Sequence, residues 1–254
     1  MERITSRRNP LITRLRRLGT DKKARRAEGL FLCEGDKLVG EALRWGAQVE
    51  LLAAAEGTPA PAGLPAHTRV VELPAELLAY VSTVDTPQNM LALCCTPALT
   101  PPEALSPGRY LVLDGVQDPG NVGTIWRTAD AAGLGGLLLG ANCADPYNPK
   151  VQRAAMGSGF RLPAIPADPL CEALAFLRAR GWTVVASALD GADFYQRPEV
   201  GERFVLVIGS EAHGISDAVR AQADALVKLP MRGRAESLNA AVAAGIMMYE
   251  MTRS

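Results

Sequence analysis

Five short apolar runs follow one another in the second half of the chain, and segments of helical pattern separate them. The runs are Tyr110–Leu113, Gly136–Leu139, Thr183–Ala186, Phe204–Ile208 and Leu226–Leu229. Short runs without polar alternation are typical of strands that are buried on both faces. The sequence therefore predicts an α/β domain in which helices cover a largely parallel sheet.

A smaller α/β unit is predicted before this domain. Its strands are predicted at Leu30–Cys33, Val49–Ala54 and Met90–Cys94, and its helices at Asp36–Trp45 and Ala75–Val81. Four prolines in residues 96–108 exclude a regular helix or a central strand there, and residues 56–66 form a second loop-like tract. We therefore expect a first domain over residues 1–96, a linker over 97–108 and a second domain over 109–254.

The net charge of zero conceals a strongly basic N-terminal segment, residues 1–26. This segment has ten Lys or Arg against two acids, so it carries +8 and the rest of the chain −8. The cations are Arg3, Arg7, Arg8, Arg14, Arg16, Arg17, Lys22, Lys23, Arg25 and Arg26. Such a concentration favours a polyphosphate partner such as RNA, because each neutralised phosphate releases a counterion. Leu11, Leu15 and Leu18 have helical spacing, so the segment could also be a helix whose charged face is simply solvated.

Composition excludes several other classes of protein. No run approaches the roughly 18 apolar residues of a membrane span, and the basic N-terminus lacks the apolar stretch of a signal peptide, so we expect a cytoplasmic protein without a membrane partner. The odd number of cysteines, five, and the absence of a CxxC pair argue against a disulfide framework. His67 and His213 lie far apart, so we expect no metal site.

Three segments of the second domain combine a buried strand, a turn with Gly or Pro, and the start of a helix. In such sheets, ligands bind beyond the carboxyl ends of the strands. In the first segment, residues 111–133, Asp118-Pro119-Gly120 is predicted to form a turn and a helix to begin at Asn121 or Gly123. Arg127 follows among small and apolar neighbours, where burial would demand an anionic partner. That partner is either a ligand or an acid such as Asp130 or Glu211.

The second and third segments contain further candidates. In residues 204–216, a strand ends at Gly209, where a ligand or another part of the backbone could approach closely, and Glu211 follows. In residues 227–251, Ser237 is predicted to cap a helix rich in Ala and Gly, which is suited either to tight internal packing or to a cofactor or subunit interface. The sequence has neither GxGxxG at a strand-to-helix turn nor GxxxxGK[ST], which disfavours a Rossmann or P-loop nucleotide site.

Taken together and in this order, the segments resemble the SpoU (TrmH-type) branch of the SPOUT RNA methyltransferases. The resemblance rests on NVGTIWRTADAAG, PYNPKVQRAAMGSGFRLP, IGSEAHGIS and LPMRGRAESLNAAVAAGIMMYE, and it covers residues 110–252. The first domain is similar, more loosely, to the ribosomal-protein-like RNA-binding unit of this family through FLCEGDKLVGEAL and STVDTPQNMLALC.

The resemblance implies a C-terminal α/β trefoil-knot methyltransferase domain preceded by a smaller α/β RNA-binding domain. It implies S-adenosyl-L-methionine as the cofactor, with contacts at Gly209, Leu229, Met231 and Leu238. It also implies a homodimer with the site near the subunit interface.

The resemblance likewise implies a catalytic set of Asn121, Arg127, Glu211, Ser237 and Asn239. The expected reaction is attack of an RNA ribose 2′-oxygen on the sulfonium methyl, with ribosomal RNA favoured over transfer RNA as substrate. Because a guanidinium stays protonated, we expect Arg127 to stabilise the developing alkoxide or the adjacent phosphate. Glu211 would orient Arg127, while Ser237 and Asn239 would hold the loop and the ribose. Methylation of an RNA base, or a non-catalytic RNA-binding role, are the alternatives.

Overall fold

The computed structural model describes residues 2–253 and confirms the α/β fold. The chain forms two compact units. One unit runs to Ala98 and also includes Asp145–Phe160, and the other comprises Leu99–Ala144 and the chain from Arg161 onward. None of the helices in the described residues is long and apolar enough to span a membrane.

The elements before the Pro-rich tract are β1 (Glu2–Arg3), α1 (Pro10–Thr20), α2 (Lys22–Glu28), β2 (Leu30–Glu34), α3 (Asp36–Arg44), β3 (Val49–Ala55), β4 (Arg69–Leu73), α4 (Ala75–Val81) and β5 (Met90–Cys95). The five predicted elements are thus confirmed to within a residue. The five strands form a mixed sheet in the order β1-β4-β3-β5-β2. The sequence interpretation missed β4. Its apolar centre, Val70 and Val71, lies between the charged Arg69 and Glu72, and the strand comes soon after the loop-like residues 56–66.

The elements after the tract are β6 (Arg109–Asp114), α5 (Pro119–Ala131), β7 (Gly136–Leu139), α6 (Pro149–Ala155), β8 (Ala164–Pro166), α7 (Leu170–Ala179), β9 (Thr183–Asp193), β10 (Phe204–Gly209), α8 (Asp217–Arg220), β11 (Ala225–Lys228) and α9 (Ala240–Thr252). Six of them form a sheet in the order β11-β9-β10-β6-β7-β8, with every neighbouring pair parallel. The predicted parallel sheet is confirmed.

The basic N-terminal segment forms two capped helices that belong to the core of the first unit. Asn9 accepts a hydrogen bond from the Leu11 N–H at 2.9 Å, and Pro10 occupies the first position of α1. The Asp21 side chain caps α2 in the same way, and Gly29 ends α2 in a left-handed conformation. The leucines with helical spacing, Leu11, Leu15 and Leu18, are buried as their spacing predicts.

The segment Asp145–Phe160 packs on the five-stranded sheet of the first unit. Asp145 forms a buried ion pair with Arg25, with 2.7 Å between the carboxylate and guanidinium atoms. Phe31 on β2 contacts the Tyr147 ring at a centroid distance of 4.9 Å and also stacks on Phe160. Burial, with a smaller effect of the Asp145 charge, raises the pKa of Tyr147 to about 12. A stretch inside the predicted second domain therefore folds with the first unit.

Candidate functional site

The loops after β6 and β10 begin side by side at the carboxyl edge of the six-stranded sheet. The two strands are parallel neighbours, and Asp114 is in register with Gly209. From β6 the chain continues through α5 to β7 on one side, whereas from β10 it continues through α8 to β11 on the other. The loops diverge there, which makes this edge a topological switch point, the usual place for ligands in such sheets.

The loop after β10 folds back tightly on its own strand. Ser210 and Gly214 exchange two backbone hydrogen bonds of 3.0 and 2.9 Å. A Cβ atom on Gly209 would lie 2.2 Å from the Gly214 carbonyl carbon, so a larger residue does not fit there. Another part of the backbone thus approaches Gly209 closely, as one of the two hypotheses expected, and a ligand contact at Gly209 stays a prediction.

Asn121 lies in the first turn of α5. The helix begins at Pro119, because the Asp118 carboxylate caps it and accepts a 2.7 Å hydrogen bond from the Asn121 N–H. The prediction of a turn at Asp118–Gly120 followed by a later helix start was wrong. Asp followed by Pro matches a helix cap and its first residue equally well.

Asn239, rather than Ser237, caps α9. The Asn239 Oδ1 accepts hydrogen bonds from the backbone N–H groups of Ala241 at 2.9 Å and Val242 at 3.3 Å. The predicted cap at Ser237 was wrong by two residues. Within residues 2–253, the exposed Ser237 makes no hydrogen bond, so its hydroxyl is available to a ligand.

A chain of side-chain hydrogen bonds joins the three segments. The Asn239 Nδ2 donates to Asn121 Oδ1 at 2.9 Å, and the Asn121 Nδ2 donates to Glu211 Oε1. The role of Asn239 as helix cap determines the direction of these hydrogen bonds. Its Oδ1 already accepts two backbone hydrogen bonds, so only its Nδ2 can face Asn121. The structure thus brings together three predicted site residues and fixes the orientation of both amides.

Arg127 lies outside this chain of hydrogen bonds. Its side chain is exposed and has no ion pair or hydrogen bond to any described residue. Asp130 pairs with Arg161 at 2.8 Å, and Glu211 accepts from Asn121. The inference that Arg127 needs a partner because of burial was wrong. Six helical residues place Arg127 about 9 Å along the axis from Asn121 and roughly 120° around it.

Three of the four residues expected to contact the cofactor are only partly covered, whereas the fourth, Gly209, is buried. Leu229 and Met231 are half-buried, and Leu238 is 39% exposed. Across the described chain, residues 230–238 form no hydrogen bond, so the backbone donors and acceptors of this loop are free. Uncovered apolar side chains beside unpaired backbone groups fit a ligand that has an aromatic ring with polar edges. The residues present are therefore suited to S-adenosylmethionine.

Two features of this edge were not expected from the sequence. β9 does not stop at Ala186: it resumes pairing with β11 at Ala192 after a register shift that leaves residues 187–191 unpaired with β11, with Leu189 78% exposed. A cleft of about 370 Å³ also opens at the ends of β6 and β10. The amino-acid sequence predicts neither the continuation of β9 nor the cleft, because both depend on which strands are neighbours in the sheet.

The described residues contain no group of three or more His, Cys, Asp and Glu arranged to hold a metal ion. The five cysteines are free thiols, as expected. On α9, the small residues pack against α5, where a Cβ on Gly245 would lie 3.6 Å from the Thr128 methyl group. Internal packing against α5 thus accounts for part of the Ala- and Gly-rich pattern, although a Cβ at Gly245 would make only an ordinary contact.

Comparison with protein families and relatives identifies two matching regions. Residues 108–249 match the SpoU rRNA Methylase family, and residues 9–92 match the MRM3-like substrate binding domain. The chain is 37% identical over 252 residues to the 23S rRNA (guanosine(2553)-2′-O)-methyltransferase RlmP of Bacillus subtilis. That alignment covers 99% of each protein.

Solved structures are similar over nearly the whole chain. An AdoMet-bound rRNA methyltransferase from Sinorhizobium meliloti superposes with a TM-score of 0.90 at 35% identity, covering 99% of this chain and 97% of that one. The SpoU methyltransferase AviRb from Streptomyces viridochromogenes, in complex with AdoMet, has a TM-score of 0.87 at 28% identity, with 97% and 98% covered.

Proposed function

The chain belongs to the SpoU rRNA methylase family, and from that premise we propose that it transfers a methyl group from S-adenosylmethionine to a ribose 2′-hydroxyl of ribosomal RNA. A relative that aligns over nearly its full length and is named for that reaction on 23S rRNA supports the substrate class. The structural observation that carries the proposal is the hydrogen-bonded chain Asn239–Asn121–Glu211 at the strand-end edge.

The reaction demands orientation more than charge. When bound, S-adenosylmethionine would supply a methyl group on a sulfonium for transfer to the ribose 2′-oxygen. The protein contributes mainly by holding the reactants in line and by managing the hydroxyl proton. We assign cofactor binding to Gly209, Leu229, Met231 and Leu238.

The hydrogen-bond chain separates positioning residues from residues that are free to touch the substrate. Asn239 uses its amide for the helix cap and for Asn121, so we assign it to positioning. Asn121 in turn holds Glu211, whose other carboxylate oxygen has no partner within residues 2–253 and can accept a hydrogen bond from the ribose hydroxyl. The unpaired Ser237 hydroxyl is the second group we assign to the ribose.

Arg127 has the chemistry to stabilise the attacking oxygen. Its guanidinium remains charged, so it stabilises the developing alkoxide or holds the neighbouring phosphate, and the proton leaves to phosphate or water. Because Arg127 points away from Asn121 and is exposed, we propose that it serves the site of the partner subunit in a homodimer.

The exposed surface of α9 supports the homodimer. Val242 is 51% exposed and Tyr249 is 55% exposed, and seven residues, about two turns, separate them. Both therefore lie on one face of the helix, and an exposed apolar face is typical of a subunit interface. We propose in addition the trefoil knot that the family resemblance implies, and action in the cytoplasm, where ribosomal RNA is found.

The substrate class is tested with labelled cofactor and three unmodified RNAs: 23S ribosomal RNA, 16S ribosomal RNA and bulk transfer RNA. We expect incorporation into ribosomal RNA, with 23S as the first candidate, and the modified position is then mapped by primer extension. Labelling of transfer RNA alone would contradict the ribosomal assignment. An absence of labelling with bound cofactor would favour a non-catalytic RNA-binding role.

A further inference from the structure

The cleft at the ends of β6 and β10 is lined by residues to which the catalytic and cofactor assignments give no role. Its volume of about 370 Å³ is within the range of small-molecule sites, roughly 300–1,000 Å³. Three different loops each contribute one uncharged polar side chain, an amide or an imidazole, to its wall: Gln117, Asn142 and His213. None of the four residues assigned to the cofactor lines the cleft, although Gly214 in its wall packs on one of them, Gly209.

These three side chains have no hydrogen-bond partner in residues 2–253, yet their backbones are firmly held. Gln117 lies between the buried Val116 and Asp118, the cap of α5. Asn142 has a left-handed backbone with φ of 62°, and the Ala144 N–H after it donates to the Val116 carbonyl at 2.9 Å. The His213 N–H donates to Ser210 Oγ at 3.1 Å. Unpaired polar groups on fixed backbone are typical of a recognition site.

The cleft borders the catalytic residues along the chain. Ser210 and His213 in its wall flank Glu211, and Gln117 in its wall is four residues before Asn121. A nucleotide whose ribose reaches Glu211 therefore has its base close to this cleft.

The charges of the cleft indicate which part of a nucleotide it takes. Its lining includes the carboxylates of Asp114 and Asp217 and no Lys or Arg. A phosphate would be repelled, whereas a neutral base offers donors and acceptors that match amide and imidazole groups. Proteins that recognise RNA sequence commonly bind unstacked bases by hydrogen bonds to their edges and by stacking on aromatic rings, histidine included.

We propose that this cleft binds the nucleobase of the nucleotide to be methylated, and that Gln117, Asn142 and His213 determine which base is accepted. The inference rests on the proposed function and extends it from the ribose to the base. Enzymes that do chemistry on a base extrude the nucleotide into a pocket, and this cleft offers a comparable pocket for the base of a nucleotide whose ribose reacts.

The test uses the full-length protein and an RNA fragment that contains the mapped position. The variants are Gln117→Ala, His213→Ala and Asn142→Gly, the last because glycine keeps the left-handed backbone while removing the side chain. Gln222→Ala is the matched control. Gln222 precedes β11 and so lies near the amino end of that strand, away from the cleft at the carboxyl ends, and its side chain makes no hydrogen bond within residues 2–253. Cofactor affinity is measured by calorimetry, and kcat and KM are measured on fragments that carry each of the four bases at the target position.

We expect each variant to lower kcat/KM on the natural base by about 3- to 10-fold, the loss that corresponds to one neutral hydrogen bond. We also expect each variant to discriminate less strongly against the other three bases. Cofactor affinity should be unchanged, and Gln222→Ala should behave as wild type. Unchanged base discrimination in all three variants would overturn the proposal. A weakened cofactor affinity would also overturn it, because the cleft would then belong to the cofactor. A wild-type protein that methylates no RNA would instead contradict the proposed function itself.

Discussion

At the scale of single residues, the site depends on two asparagine amides whose orientations a helix cap determines. Asn239 caps α9 and thereby presents its Nδ2 to Asn121, which then presents its own Nδ2 to Glu211. These residues lie 118 and 90 positions apart in sequence, so their contact could not be predicted from spacing. The family resemblance selected all three, and the structure adds that Asn239 is a positioning residue.

The first prediction concerns Asn121. Asn121→Ala removes the link between α9 and Glu211, so we expect kcat to fall by on the order of 10²-fold, as for loss of one preorganised hydrogen-bond donor. Cofactor affinity, measured by calorimetry, should be nearly unchanged. Thr124→Ala, on the exposed side of α5, is the control and should retain activity. A variant as active as this control would remove the hydrogen-bond chain from the mechanism.

At the scale of elements, the basic segment is not a free arm. Deleting residues 1–26 would remove the buried side chains of α1 from the core, so a deletion cannot test RNA binding. Four of the ten cations pair with acids: Arg3, Arg14, Arg17 and Arg25. Among the cations that pair with no acid in the described part of the chain, Arg7 and Arg16 lie over the Tyr80 ring at 4.9 and 4.3 Å. The sequence predicted the charge and the helical packing, but not which cations remain available.

The second prediction separates these two groups of cations. The triple variant Arg7→Ala, Arg8→Ala and Arg16→Ala should weaken RNA binding and reduce its dependence on salt, by up to about 0.9 in log–log slope for each lost phosphate contact. Arg3→Ala with Arg17→Ala removes cations that are already neutralised and should change the slope little. If both variants and the wild type had the same salt-dependence slope for RNA binding, the cations of this segment would be a solvated helix face that does not contact RNA.

The segment Asp145–Phe160 provides the third prediction. The side chains of Arg25 and Asp145 are 3% and 8% exposed, so Asp145→Ala leaves a buried guanidinium without its counter-ion. We expect a loss of about 3–5 kcal/mol in the free energy of unfolding, measured by urea titration. The exposed ion pair of Arg3 and Glu56 is the comparison, and Arg3→Ala should lower the free energy of unfolding by less than about 1 kcal/mol. Similar losses for the two variants would show that burial of the pair contributes little.

At the scale of the whole molecule, the parallel sheet was predictable because its strands are short, apolar and buried on both faces. The return of residues 145–160 to the first unit was not, because a buried Arg–Asp pair 120 residues apart leaves no local pattern. The continuation of β9 past Ala186 was likewise hidden, because Ser187 to Gly191 carry no strand pattern and pairing resumes only after the bulge.

The fourth prediction tests whether two subunits share each site. Arg127→Ala and Asn121→Ala are co-expressed with different tags, and the mixed dimer is purified through both. If Arg127 serves the partner's site, one of the two sites is complete, and we expect about half the wild-type activity in a twofold-symmetric dimer. Background activity from the mixed dimer would place Arg127 and Asn121 in the same subunit's site, and a monomeric protein would contradict the shared site altogether.

The central claim, transfer of a methyl group to a ribose 2′-oxygen, is tested most directly by finding the atom that carries the methyl. Ribosomal RNA methylated with labelled S-adenosylmethionine is hydrolysed in alkali, which cleaves after every nucleotide that has a free 2′-hydroxyl. We predict that the label is recovered in an alkali-resistant dinucleotide, and that Asn121→Ala yields on the order of 10²-fold less of it in the same reaction time. Label recovered in mononucleotides, on a base, would contradict the account.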